Sequence, residues 1–149
     1  MRREPGHGDR VVTLISLLRR TNQLMVDEIT TRLDQAGFAN CPPTFHPIFE
    51  NLDPDGTRLT VIASRAGLTH QSVGEVVSEL EQRGYIERVP DPADRRARLV
   101  RLTPDGRRLV RAAVTAVDSI EREWTKRWRA HGLAGDLRRS LDGALRERI

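Results

Sequence analysis

The sequence predicts a mainly α protein carrying one small antiparallel β-hairpin, with long helices before and after a compact central lobe. Three observations carry that prediction. Two short helical patterns, Val61–Ala66 and His70–Arg83, are separated by the tight turn Gly67-Leu68-Thr69. Two strand-like runs, Tyr85–Val89 and Arg98–Leu102, follow around an arginine-tipped loop. Long helical patterns occupy both ends of the chain. Two helices in a tight turn followed by a hairpin, or wing, form a winged helix-turn-helix, which can lay one helix and one loop on a duplex.

The elements follow in order. Asp9 is placed to cap a first helix running to about Ala36, after a Pro- and Gly-containing stretch at residues 1–8. Val11, Leu14, Ile15, Leu18, Met25 and Ile29 keep helical spacing, and Val12, Leu17, Leu24 and Val26 add a second apolar face. A helix apolar on two sides is buried on two sides: against a partner subunit, or within a wide intrachain core. Gly37 ends it, Cys41-Pro42-Pro43 makes a stiff bend, and a short helix from Phe45 to about Leu52 follows. Asp53-Pro-Asp-Gly56 reads as a turn and Thr57–Leu59 as a short strand. Thr60 is expected to cap the next helix and Gly67 to stop it.

Thr69 caps the helix that matters most. Val73, Val76, Val77 and Leu80 recur along it at helical spacing and predict a buried stripe. Pro90 to Arg96 reads as the wing loop. Thr103-Pro104 pairs a capping residue with proline at the first helical position, so a long helix begins there and runs to about Trp128. Val110, Ala113, Val114, Val117, Trp124 and Trp128 are expected to line one of its faces, with the two tryptophans in core or dimer packing. A last helix, Asp136 to Arg148, carries Leu137, Leu141 and Leu145.

Composition narrows the function. The 149 residues suit one domain able to bury ~70% of its unfolded surface. Net charge is +4, which suits a polyanionic partner. Seven arginines but one acid, Asp105, lie between Arg95 and Arg111. The single cysteine, Cys41, excludes an internal disulfide and fits a reducing cytoplasm. The apolar run Val11–Leu18 is followed by Arg19-Arg20 and lacks a small-residue cleavage site, so it does not read as a signal peptide. No apolar run approaches the ~20 residues of a membrane span. No nucleophile elbow, phosphate loop or metal cluster is present, and no catalysis or cofactor is expected. His46 and Cys41 are too sparse for a metal site, with His7 and His131 far off in sequence.

The central residues resemble the MarR family of winged-helix transcription regulators. Leu59-Thr60 with Ala63, Gly67-Leu-Thr-His-Gln71, Leu80-Glu-Gln-Arg-Gly-Tyr-Ile-Glu-Arg88, Asp91-Pro-Ala-Asp-Arg-Arg96 and Leu102-Thr-Pro-Asp-Gly106 carry the resemblance. It covers about a third of the chain. It implies a homodimer held by terminal helices at 9–36 and 104–149, a DNA-binding lobe at 44–103, and a pseudo-palindromic operator. It also implies a small-molecule signal that weakens binding, lodged between the dimer helices and the DNA-binding lobe, where Leu18, Phe45, Phe49 and Val117 are candidates. One departure is Glu75, where many members carry a basic residue.

Residue chemistry assigns the contacts. The N-terminal part of a major-groove helix reaches base edges, and here it offers His70, Gln71, Ser72 and Glu75. Gln71 suits adenine and Glu75 suits cytosine N4, while Thr69 and Ser72 suit phosphate. A narrow minor groove attracts arginine, so Arg96 is assigned there, with Arg95 and Arg98 on phosphates. Asp94 is expected to hold a wing arginine by a charge-assisted bond. Ser64 and Arg65 are backbone-contact candidates in the preceding helix. Gly74 lowers helix stability by about 1 kcal/mol, which close approach of DNA or of a neighbouring helix would explain. Two other readings keep the fold. Glu75, Glu79 and Glu81 suit a protein-interaction module, and a thiolate at Cys41, activated by a helix N-terminus, suits a redox-sensing regulator.

Overall fold

The computed structural model describes residues 12–39 and 41–147. The expected cap Asp9, the stretch 1–8 with His7, Val11 and the helix end at Arg148 lie outside them.

The first helix, α1, spans Leu14–Gln35 and begins later than expected. Its cap is Thr13, whose hydroxyl accepts from the Ser16 N–H while the Ser16 hydroxyl accepts from the Thr13 N–H, each at 3.1 Å. A 3-10 turn, Pro43–Phe45, leads into a single helical turn, α2, His46–Phe49. This is shorter than the helix expected to reach Leu52, and the Asn51 side chain donates to the Pro47 carbonyl where it ends. Strand β1, Thr57–Arg58, runs directly into α3, Leu59–Ala66. Thr60 is therefore inside the helix, and the cap position falls on Arg58, whose side chain makes no cap bond. Gly67, at φ 64°, stops α3 in the left-handed conformation as expected.

Helix α4, His70–Gln82, is capped by the Thr69 hydroxyl, which accepts from the Ser72 N–H at 3.1 Å. Val73, Val77 and Leu80 are fully buried, the stripe its spacing predicts. Strands β2, Ile86–Asp91, and β3, Asp94–Leu102, are longer than the sequence suggests. What reads as a seven-residue loop is a hairpin turning at Pro92-Ala93. β1 joins the far edge, giving the antiparallel order β1-β3-β2.

Helix α5, Pro104–Ala130, is capped by Thr103, with Pro104 at its first position. Gly106 is buried where α5 starts, and a Cβ there would run into the Tyr85 carbonyl oxygen. The buried hydrophobic residues of α5 are Leu109, Ala116, Ile120 and Trp124, of which Trp124 belongs to the face expected from sequence. Val114 is 58% exposed. Trp124 is buried and stacks at 5.6 Å on Trp128, with Arg127 over its ring at 4.4 Å. Helix α6, Leu137–Arg146, begins on an Asp136 cap and buries none of its residues.

One core unites Leu33, Phe45, Ile48, Ile62, Val73, Val77, Leu80, Ile86, Val100 and Leu109. It joins α1 and α5 to the winged lobe. The front half of α1 lies outside it: Leu14 is 71% and Ile15 80% exposed, as Leu17, Leu18 and Leu24 are in lesser degree. The wide intrachain core therefore does not account for the apolar faces of α1.

Candidate nucleic-acid interface

The Val73–Leu80 stripe fixes α4 on the core and turns its opposite side outward. Thr69, His70, Gln71, Ser72 and Glu75 are all exposed there, at and after the helix N-terminus, where unpaired N–H groups favour anions. Gln71 Nε2 donates to Glu75 Oε1 at 3.2 Å, so these two base-reading candidates hold each other one turn apart. The Thr69 hydroxyl donates to Ser72 Oγ at 2.9 Å while capping the helix.

The acids of α4 are largely offset. Glu79 pairs with Arg83 at 2.7 Å and Glu81 with Arg88 at 3.6 Å. Arg88 also donates to Ser78 Oγ at 3.1 Å, which ties the base of β2 to α4 and fixes the wing relative to the helix. In α3, Ser64 and Arg65 are exposed, and Arg65 is held by both oxygens of Asp53 at 2.9 and 3.0 Å. That bond keeps the Asp53 carboxyl below its ordinary range.

The wing is anchored by residues the sequence reading did not single out. Asp91 is buried at the end of β2 and receives Arg58 at 2.6 Å. It also accepts from the Ala93 N–H at 2.8 Å, so its carboxyl titrates below the usual range, first through that backbone bond and then through Arg58. A buried acid beside an arginine at the strand that opens the lobe is a pairing across 33 positions, which local spacing cannot reveal. Asp94 differs from its expected role. It accepts from the Arg96 backbone N–H at 3.1 Å, and its nearest guanidinium is that of Arg58 at 3.8 Å. It shapes the tip rather than gripping a tip side chain.

Pro90 lies opposite Arg98 and Asp91 opposite Asp94, which leaves Arg95, Arg96 and Ala97 as a bulge in β3. Arg95, Arg96 and Arg98 are exposed, and none of them is paired among the described residues. The wing thus ends in three uncompensated guanidinium groups on an internally braced hairpin.

A cavity of about 310 Å³ lies between α1, the 3-10 turn with α2, and α5. Phe45, Phe49 and Val117 line it as expected, with Ile29 and Leu33. Leu18 does not; it lies on the outer face of α1, 44% exposed. Val110, Ala113, Val114 and Val117, expected to share one face of α5, together form a wall of this cavity. Glu50, Asp118 and Glu121 stand at its edge, opposed by Arg138.

Cys41 also lines the cavity, but not as a ready thiolate. Burial pushes its thiol from 9.0 up to about 11, against the lowering effect of Arg83. A thiol raised by burial does not favour the redox-sensing alternative, which calls for an activated thiolate. Alkylation of Cys41 by iodoacetamide should be slow at neutral pH and keep accelerating past pH 9.0 toward about 11. The raised value also makes stability fall across that window, since the unfolded thiol ionises first. A rate that levels off below pH 9.0 would contradict the burial effect. His46 faces Glu50 at 3.4 Å, and no group of three metal-ligating side chains occurs among the described residues. Among them, no helix is long and apolar enough to cross a membrane.

Known proteins share this arrangement. Residues 48–97, from α2 through Arg95 and Arg96 of the wing, match the MarR family. The transcriptional regulator HosA of Escherichia coli O111:H- is 33% identical over 75 residues, half of this chain and 56% of that protein. The chain thus matches little more than half the length of this relative. Two solved structures share the fold at low identity. The Staphylococcus aureus MepR–DNA complex superposes with TM-score 0.70 at 22% identity, covering 92% of this chain and 96% of the other. CouR from Rhodococcus jostii RHA1, bound to p-coumaroyl-CoA, superposes with TM-score 0.66 at 23% identity, covering 91% and 87%. The helix-turn-helix and wing thus match the MarR family over residues 48–97, about a third of the chain, and the chain as a whole shares its fold with these two solved proteins.

Proposed function

We propose that this protein is a sequence-specific, double-stranded-DNA-binding transcription regulator that acts in the cytoplasm as a homodimer on a pseudo-palindromic operator, represses, and catalyses no reaction. The observation that carries this is the pairing of an outward α4 N-terminus with a braced wing bearing unpaired Arg95, Arg96 and Arg98. Base edges are then read by His70, Gln71 and Glu75, and phosphates by Thr69, Ser72, Ser64 and Arg65. The fold shared with MepR, solved with DNA, supports the same docking.

The rival reading, a protein-interaction module, rested on the glutamates of α4. Glu79 and Glu81 are compensated within the chain, and Glu75 is held by Gln71, so the helix presents less free acid than its sequence suggests. The cavity supports release of DNA by a small molecule. Its volume suits one or two rings, its wall is apolar, and carboxylates outnumber guanidinium groups at its edge, which favours an uncharged or cationic ligand.

The deciding experiment is a gel-shift or anisotropy titration with the DNA upstream of the protein's own gene and with a random duplex pool, over stepped salt concentrations. The reading expects enrichment of particular duplexes and affinity that falls steeply with salt, by a slope of about 0.9 for each phosphate neutralised. No binding to any duplex at low ionic strength, or binding indifferent to salt, would overturn it.

A further inference from the structure

Resting on that DNA reading, we propose that Gly74 is a specificity-determining position: lacking a Cβ, it lets the α4 backbone settle close enough to the base edges for Gln71 and Glu75 to reach them. Glycine is among the least favourable residues in a helix interior, so its presence requires a reason. The described residues supply none. Gly74 is not among the glycines in the left-handed region. A Cβ built on it would meet no atom within 4 Å, whereas one on Gly106 would run into the Tyr85 carbonyl. A neighbouring helix therefore does not explain it, and close approach of something outside the chain does.

The surroundings of Gly74 fit that approach. A shallow open depression on the outer side of α4 is lined by Leu59, Gln71, Gly74, Glu75, Ser78 and Arg88. The Ser78 hydroxyl donates to the Gly74 carbonyl at 2.8 Å and accepts from Arg88 at 3.1 Å, so the backbone there is satisfied and braced. Gln71 and Glu75, two of the three side chains with base-reading chemistry, flank the same spot. A short side chain such as glutamine or glutamate spans the groove only if its helix lies deep in it, and a methyl group at Gly74 would hold the helix off.

The test compares Gly74→Ala with Gly143→Ala, a second helical glycine in open space, on α6. Both variants should melt higher than the parent protein, by about 3 °C, because alanine favours the helix and clashes with nothing. On a duplex selected from a random pool by the unaltered protein, Gly143→Ala should bind as before, and Gly74→Ala should lose about tenfold or more. On a scrambled duplex, Gly74→Ala should keep its salt-dependent binding. Equal affinity of Gly74→Ala and the parent for the selected duplex, or equal losses on selected and scrambled duplexes, would overturn the inference alone. A lowered melting temperature for Gly74→Ala would do the same, by revealing an internal role. If the unaltered protein enriches no duplex, the DNA reading falls and this inference with it.

Discussion

Replacing Arg95 and Arg96 together by alanine is expected to lower duplex affinity about a hundredfold at moderate salt and to reduce the salt slope by about two. Both guanidinium groups are exposed and unpaired among the described residues, so no internal bond is lost with them. The contacts that hold the tip are made by other atoms: Asp91 to Arg58 and to the Ala93 N–H, and Asp94 to the Arg96 backbone N–H, which alanine keeps. The melting temperature should therefore stay within a degree or two of the parent value, since exposed substitutions away from such bonds change stability little. Anisotropy titrations at stepped salt, with melting curves as a control for folding, measure both effects. The bulge sharpens the expectation: three residues opposite no partner push the chain outward at the point where the two arginines sit. If affinity and salt slope survive the double substitution, the wing is not an interface, whatever α4 does.

Much of this was legible in the sequence wherever a local rule decides. The Thr69 cap, the Val73–Val77–Leu80 stripe, the Gly67 stop and the Thr103-Pro104 start are each fixed by residues within one or two turns, and each stands where expected. What escaped is settled at longer range. Pro90, Asp91 and Asp94 have the chemistry of a loop, yet they lie in strands, where Pro90 faces Arg98, Asp91 faces Asp94 and Arg58 holds Asp91. On α5 the sequence shows one apolar face, but two apolar stripes share that helix. The Leu109–Trp124 stripe fills the core, and the valines beside it line a cavity. At Cys41 the sequence shows the bend the residue sits in but not the burial that raises its thiol. Arg65 was read as a backbone contact, and its pairing with Asp53 across the turn shows how it is held in position.

The second large effect concerns the terminal helices. Glutamate at Ile15 and at Leu145 is expected to convert the proposed dimer into monomers and, through that, to reduce duplex affinity by three orders of magnitude or about that. Ile15 is 80% and Leu145 66% exposed, so a single folded chain accommodates both charges without loss of core packing. In a dimer the outcome is different. Leu14, Ile15, Leu17 and Leu18 in α1, with Leu141 and Leu145 in α6, form apolar faces too extensive for a chain that leaves them in water. Burying each such side chain against a partner stabilises the pair by about 1.5–3 kcal/mol, and a glutamate in the same place reverses that and leaves an unpaired charge out of water. Each winged lobe then binds a half-site alone and loses the effective concentration its partner supplied. Sedimentation of the double variant should give the monomer mass with an unchanged helical spectrum, and the titration should show weak, still salt-dependent binding. The parent protein would sediment as the dimer at the same concentration. A double variant that remains dimeric would place the subunit contact elsewhere, and one that is monomeric yet binds as tightly as before would remove the twofold operator from the proposal while leaving the α4 and wing contacts standing.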